Sequence, residues 1–495
     1  MKFYSTRSRT SVSAAQAIAQ GLAGDGGLFV PENFPQLPDF AELVKLDYRE
    51  LAKVVLGLYL TDFSKQEIAD SVDAAYTGTF ENDDPAPLRE IAPGVNLLEL
   101  WHGPTCAFKD LALQLLPQLL TRATGKTAPA GRETVILVAT SGDTGKAALD
   151  GFADVPKTKI IVFYPQDGVS AMQKLQMTTQ KGDNVFVCGI NGNFDDAQSG
   201  VKAIFSDPEM KTSLEKKNLA FSSANSINFG RLVPQIVYYI ASYCELLRRS
   251  KIKPSEKINV VVPTGNFGNI LAAVYAKNMG LPVKKFICAS NANNILTDFI
   301  TTGVYDCNRK FFTTYSPSMD ILISSNLERL LYLLLGNSPD RVAALMLELK
   351  TSGRYTIGAD TLAQLQSEFA AGCCDDEETL KTIALTLKDY NYLCDPHTAV
   401  AVNVFMQYQK QTGDTAPCVI ASTASPYKFA PAVLSAIAQD KEIPTDGFAA
   451  LEMLSQLAGT AIPAPLAALK NAQILHPESV AKTEMKNFIR RELGL

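Results

Sequence analysis

The segment His102-Gly-Pro-Thr-Cys-Ala-Phe-Lys109-Asp-Leu111 carries the strongest chemical signal in the chain. It follows a strand-like apolar run over 95–101 and precedes an expected apolar helix over 111–120. Lys109 sits between Phe108 and that helix start, so its ammonium is poorly solvated and meets the positive end of the helix dipole. Both effects lower a lysine pKa, and a lysine freed of its proton attacks carbonyl carbon. A surface lysine that opens a helix leaves the same local pattern, so the loops elsewhere in the chain must decide.

Four other segments lie at the C-terminal ends of expected strands, where ligands bind in open α/β sheets. Thr140-Ser-Gly-Asp-Thr-Gly-Lys146 opens a helix, and its amides and hydroxyls suit a carboxylate or phosphate. Only Asp143 and Thr144 separate Gly142 from Gly145-Lys146, which excludes a Walker A loop. A well-capped helix would look the same. Pro263-Thr-Gly-Asn-Phe-Gly-Asn269 repeats the strand, turn and helix, with glycines that let N–H groups converge on a phosphate. It lacks a third glycine, and no acidic residue ends the next strand, so a mononucleotide-like phosphate fits better than a dinucleotide. Ser222-Ser-Ala-Asn-Ser-Ile-Asn-Phe-Gly-Arg231 joins hydroxyls, amides and an arginine, which suits a second phosphate. Taken singly, each of these is an ordinary cap or surface group. The strand end Ala421-Ser-Thr423 presents hydroxyls to a ligand or starts a turn. Two phosphates and an amine-reactive carbonyl account for the whole set. Pyridoxal 5'-phosphate on Lys109 supplies the carbonyl and one phosphate, and a phosphorylated small-molecule substrate supplies the other.

The elements that must position these loops alternate. Strands are expected near 134–140, 159–164, 184–188, 219–222, 258–262 and 286–288, with helices between them and a long helix over 232–249. Near-continuous apolar strands between helices predict parallel sheets covered on both faces. Residues 79–93 read as a connector, 326–391 as almost wholly helical, and 418–423 as a late strand. The expected fold is α/β: two parallel-sheet lobes with helical additions at both ends. The division is 1–95 as an N-terminal helical region, 96–235 as a smaller lobe carrying Lys109 and the substrate anion loops, and 236–495 as a larger lobe with the cofactor phosphate loop.

With 46% hydrophobic and 20% charged residues and a formal charge of -5, the chain is an ordinary globular composition. It has no basic stripe for nucleic acid and no apolar stretch fit to span a bilayer. Nine cysteines without a Cys-x-x-Cys pair suit buried thiols in a reducing, cytoplasmic setting. Three histidines leave little room for a metal site, and none is expected. The first two dozen residues have a transit-peptide-like composition, but Gly21-Leu-Ala-Gly-Asp-Gly-Gly-Leu-Phe-Val-Pro-Glu32 reads as a helix stop docking onto a strand. That end is expected to belong to the fold, in a monomer or homodimer.

The ordered set of motifs resembles the threonine synthase family, of the longer microbial and fungal type, within the fold-type-II pyridoxal phosphate enzymes. It comprises Asp25-Gly-Gly-Leu-Phe-Val-Pro-Glu32, His102 to Asp110, Thr140 to Gly145, Asn225-Ser-Ile-Asn228, Thr264 to Gly268, Ser316-Pro-Ser-Met-Asp320 and Asp395-Pro-His397. The resemblance implies that Lys109 is the Schiff-base lysine and shuttles protons. It implies that Phe108, Asp143, Gly265, Asn266, Phe267, Gly268, Asn269 and Thr423 hold the cofactor, the 264–269 loop taking its phosphate and Thr423 its ring nitrogen. Thr140, Ser141 and Thr144 are implied for the substrate carboxylate, and Ser226, Asn228, Arg231 and Lys174 for its phosphate. The implied reaction turns O-phospho-L-homoserine and water into L-threonine and phosphate. Alternatives are a phospho-lyase giving 2-oxobutyrate, a serine or threonine dehydratase, and a non-catalytic protein that binds phosphorylated metabolites. His102 is expected to be structural.

Overall fold

The computed structural model describes residues 1–140, 142–166, 169–438 and 441–495. Strand Ile258–Pro263 is buried along its whole length, and its side chains divide between two cores. Ile258, Val260 and Val262 enter a central core, while Val261 enters an outer one. Strand Glu133–Ala139 does the same: Ile136 and Val138 join the central core, and Val135 and Leu137 a third cluster. This period-2 alternation between two apolar layers is what helix-covered parallel strands require.

Two parallel sheets result. The smaller has the order Ser479–Ala481, Val185–Asn191, Thr158–Pro165, Glu133–Ala139, Leu219–Ser222. The larger runs Phe369–Cys373, Val283–Ser290, Ile258–Pro263, Cys418–Ser422, Val95–Glu99, Leu88–Ala92, with only the last strand antiparallel. The architecture is the expected pair of α/β lobes with helical additions.

Several local expectations are corrected. Strand Val95–Glu99, which leads to Lys109, pairs with Cys418–Ser422 and so lies in the larger sheet, not in a lobe beginning at 96. Residues 479–493 return to the smaller sheet through strand Ser479–Ala481 and helix Met485–Leu493, so 236–495 is not one lobe. Residues 88–92 are an edge strand rather than connector, and the helical stretch beyond 326 contains strands Arg354–Thr356 and Phe369–Cys373. The N-terminal region includes a three-stranded antiparallel sheet, and Arg329 Nε donates to Phe29 O (2.9 Å), tying that end into the fold. The expected helix over 111–120 is two helices, Lys109–Leu113 and Leu116–Thr127. Pro117 lies in the first turn of the second, where its missing N–H costs nothing but bars a continuous helix.

Candidate active site

Lys109 is the first residue of its helix and only 8% exposed. Its Nζ lies 3.2 Å from Asp143 Oδ2, 3.4 Å from Ser318 Oγ and 4.8 Å from the Phe108 ring centre. Burial lowers the Lys109 pKa; Asp143 opposes this, Lys428 and Arg231 add to it, and the net direction is down. That is the state in which a lysine acts as nucleophile and proton carrier.

Asp143 opens helix Asp143–Phe152 and is fully enclosed. Its Oδ1 accepts from Lys428 Nζ (2.7 Å) and Gln173 Nε2 (2.9 Å), and its Oδ2 faces Lys109 and Ser318. Burial would raise its carboxyl, but Lys428 and then Lys109 outweigh that and hold it well below the usual carboxylate range. Gly142 precedes it at φ 144°, and a Cβ there would fall 2.4 Å from the Gln173 side chain, so the turn requires glycine.

The 264–269 loop has the backbone form of an anion cradle. Helix Gly268–Asn278 begins without a side-chain cap, leaving first-turn amides with no intrahelical acceptor. Phe267 holds a left-handed φ of 62°, which turns successive amides to one side. A Cβ on Gly265 would lie 2.6 Å from Ser318 O, so the turn Pro317–Met319 can approach the loop only over glycine. The Asn269 side chain bonds to two tyrosines: its Oδ1 accepts from the hydroxyls of Tyr238 (2.8 Å) and Tyr239, while its buried Nδ2 has no partner among the described residues.

Arg231 is the second feature that suits an anion. It lies in the first turn of helix Phe229–Arg248, which packs on the helix of Lys109, and it is 4% exposed. Its Nη1 donates to Ala224 O (2.8 Å), its buried Nε has no partner, and no carboxylate pairs with it among the described residues. Burial pushes its pKa down to about 10. An enclosed guanidinium without a counter-ion is costly, and an arriving anion removes that cost.

Other expected residues take different places. Asn228 caps the long helix: its Nδ2 donates to Ile18 O (3.0 Å) and Ser223 O (3.2 Å), and its Oδ1 accepts from Gly230 N (2.9 Å). Both Nδ2 hydrogens of Asn228 are thus engaged by backbone carbonyls. Thr140 is engaged likewise. Its hydroxyl accepts from the amides of Gly142 (3.0 Å) and Gly145 (2.9 Å) and donates to Gly142 O (3.2 Å), which shapes the turn. Lys174 engages Gln166 Oε1, and Ser226 Oγ accepts from Asn326 Nδ2 (3.3 Å). Thr144 is half-buried in the turn after Asp143, and Asn266 is exposed. The Thr423 hydroxyl bonds to none of the described residues, while its carbonyl accepts from Phe108 N (2.9 Å). Ser141 lies outside the described residues.

Four site residues escaped sequence reasoning. Lys428 and Gln173 hold Asp143, Ser318 touches Lys109, and His397 holds Ser318. The His397 Nε2 accepts from Ser318 N (3.1 Å) and its Nδ1 donates to Asp395 Oδ1 (2.7 Å), which sets the tautomer. The motifs around Ser318 and His397 were visible, but their chemistry was not. For Lys428 the signal was its place just past the strand end at Thr423. His102 bridges Glu81 (2.8 Å) and Glu99 (2.9 Å) and bonds to none of these four among the described residues.

A buried lysine of lowered basicity, an amide cradle closed by Gly265, and an unpartnered threonine hydroxyl make a donor set that suits pyridoxal phosphate. Two α/β lobes with such a site define a pyridoxal phosphate-dependent enzyme. The pattern described as "Pyridoxal-phosphate dependent enzyme" matches residues 87–423, "Threonine synthase N terminus" matches 2–76, and "Threonine synthase, C-terminal" matches 398–471. Threonine synthase of Pseudomonas aeruginosa is 39% identical over 437 residues, 88% of this chain and 90% of that one. The crystal structure of pyridoxal phosphate-bound threonine synthase from Brucella melitensis superposes with a TM-score of 0.88 at 36% identity, covering 100% of both chains. Human threonine synthase-like 1 is 41% identical over 435 residues, 86% of this chain, but the match spans only 58% of its length. The chain belongs to the threonine synthase family.

No helix among the described residues is long and apolar enough to cross a membrane.

Proposed function

We propose that this protein is a threonine synthase, converting O-phospho-L-homoserine and water into L-threonine and phosphate. The observation that carries the reading is Arg231, a buried guanidinium without a carboxylate partner among the described residues, close enough to Lys109 to depress its basicity. A serine or threonine dehydratase has no substrate phosphate for it, and a mere binding protein has no use for a lysine of lowered basicity.

In this reading Lys109 carries the cofactor, and its Nζ takes and returns protons at the substrate Cα and Cβ. Bound pyridoxal phosphate supplies an electrophilic carbon and a ring that delocalises carbanions. The amides of 265–269 hold the cofactor phosphate, with Phe108 beside Lys109 and the Thr423 hydroxyl serving the ring nitrogen. Thr144 binds the substrate carboxylate. Arg231, with Ser226 and Lys174, holds the phosphate that leaves from Cγ before water adds at Cβ. Asp143 and Ser318 orient Lys109. We place the enzyme in the cytoplasm as a monomer or homodimer; its free cysteines, most of them buried, suit a reducing setting.

The test supplies O-phosphohomoserine and identifies the products. Threonine with stoichiometric phosphate is expected, 2-oxobutyrate would establish a phospho-lyase instead, and absence of phosphate release would refute both. The purified protein should show the visible band of bound cofactor, and borohydride should fix the cofactor to Lys109. Lys109→Ala should lose both signals; cofactor still fixed in that variant would overturn the assignment.

A further inference from the structure

Lys428 stands one carboxylate away from Lys109, with Asp143 between them. It lies on the single turn Pro426–Phe429 beyond strand Cys418–Ser422 of the larger sheet and is 1% exposed. Its Nζ makes two described contacts, Asp143 Oδ1 at 2.7 Å and Thr105 O at 2.9 Å. Asp143 belongs to a helix that follows a strand of the smaller sheet, so this buried ion pair joins the two sheets.

The Asp143 carboxylate is shared between two lysines. Lys428 and Gln173 take Oδ1, and Lys109 and Ser318 face Oδ2. A reacting Lys109 must give up its proton. Were Lys109 the only cation on Asp143, that loss would strand a buried carboxylate without a counter-ion, a strongly disfavoured state. The carboxylate would then hold the proton on the lysine or take it up itself. With Lys428 in place, Asp143 stays paired after Lys109 becomes neutral, and Oδ2 still accepts a hydrogen bond from the amine.

We propose that Lys428 is a positioning residue, the standing counter-charge of Asp143, which keeps that carboxylate ionised and turned towards Lys109 whether or not Lys109 carries a proton. The inference rests on Lys109 being the reacting lysine. The charged groups around Lys109 are Asp143, Lys428 and Arg231, and Asp110 and Cys106 lie within reach of Lys428. The repulsions from Lys428 and from Arg231 act in one direction: they disfavour the Lys109 ammonium. Removing Lys428 therefore raises the Lys109 pKa, because Asp143 becomes its partner alone.

The experiment labels the full chain, stripped of cofactor, with trace acetic anhydride across a pH series and measures acetylation at Lys109 by peptide mass. Lys428→Met should move the labelling midpoint of Lys109 up by about 1–3 pH units, the effect of one nearby charge. Lys428→Arg, which keeps the charge, should stay near the wild-type midpoint. In the cofactor-loaded protein the pH titration of the visible band should move in the same order. An unchanged midpoint in Lys428→Met, or an equal shift in Lys428→Arg, overturns the proposal and leaves Lys428 a structural strut. If Lys428→Met does not fold, Lys428→Gln keeps a donor to Thr105 O without the charge and is held to the same criterion. A wild-type protein that binds no cofactor at Lys109 would refute the proposed function, whereas the labelling midpoint reads Lys428 independently of cofactor.

Discussion

Arg231→Met should separate binding from stability in opposite directions. Burial takes the guanidinium from its ordinary pKa to about 10, a displacement worth about 3 kcal/mol against the folded state at neutral pH. Methionine relieves that cost with a side chain of similar length. The loss is the 2.8 Å bond to Ala224 O, whose stranding costs about 1–2 kcal/mol. The net change is a gain on the order of 1 kcal/mol. A substrate phosphate, by contrast, loses a charge-assisted hydrogen bond of about 1.5–3 kcal/mol, which is roughly 10–150-fold in affinity. Two assays read this: KM for O-phosphohomoserine, and melting temperature with and without inorganic phosphate. Wild type should melt higher as phosphate is added, since a ligand bound only to the folded state stabilises it. The variant should melt no lower than wild type without phosphate and gain nothing from it. A variant that melts several degrees lower with an unaltered KM would refute the reasoning and make Arg231 a structural tie.

Gly265→Ala places a Cβ 2.6 Å from Ser318 O, a backbone carbonyl that no side-chain rotation can move aside. Overpacking of about 1–3 kcal/mol should weaken cofactor binding tenfold or more in a titration of the visible band, and unaltered binding would sink the cradle. Asn228→Ala removes a helix cap and strands Ile18 O, so stability should fall by about 2–4 kcal/mol in denaturant unfolding while KM changes little. A large KM effect without destabilisation would restore Asn228 to the substrate. At His102, burial lowers the pKa but Glu99 and Glu81 outweigh it, so the net direction is up. Its stabilisation is present below the unfolded value of about 6.5 and is lost as pH rises through the folded value. His102→Gln should therefore melt lower than wild type at mildly acid pH, with the gap closing towards pH 9; a constant gap would count against the charge pair.

The parts legible in the sequence were those whose chemistry is local. Loops such as 264–269 announce themselves because their glycines and following helix are adjacent in the chain, and Lys109 because its phenylalanine and helix are neighbours. Strand Ile258–Pro263 was legible because both its faces are apolar, which one residue run reveals. Partnership across the chain was not. Nothing near residue 95 states that Val95–Glu99 pairs with Cys418–Ser422, and a strand's sheet is set by that pairing. The same holds for Asn228, whose cap on Gly230 N is local, while its tie to Ile18 O, 210 residues away, could not be read from its neighbourhood.

Lys428 shows why this distinction matters for chemistry. A buried charge must be paired, and the partner is chosen by the fold rather than by spacing. Sequence motifs could name the carboxylate and the reacting lysine, which sit 34 residues apart. The second cation on that carboxylate arrives from the turn after Cys418–Ser422, a central strand of the larger sheet. The basicity of Lys109 thus depends on three elements at once. The Phe108–Lys109 junction buries it, the turn at Gly142 presents Asp143 to it, and the turn after Ser422 decides how much of Asp143 it receives. A change in the packing between the two sheets would reach the reacting nitrogen through that shared carboxylate before it reached any substrate contact.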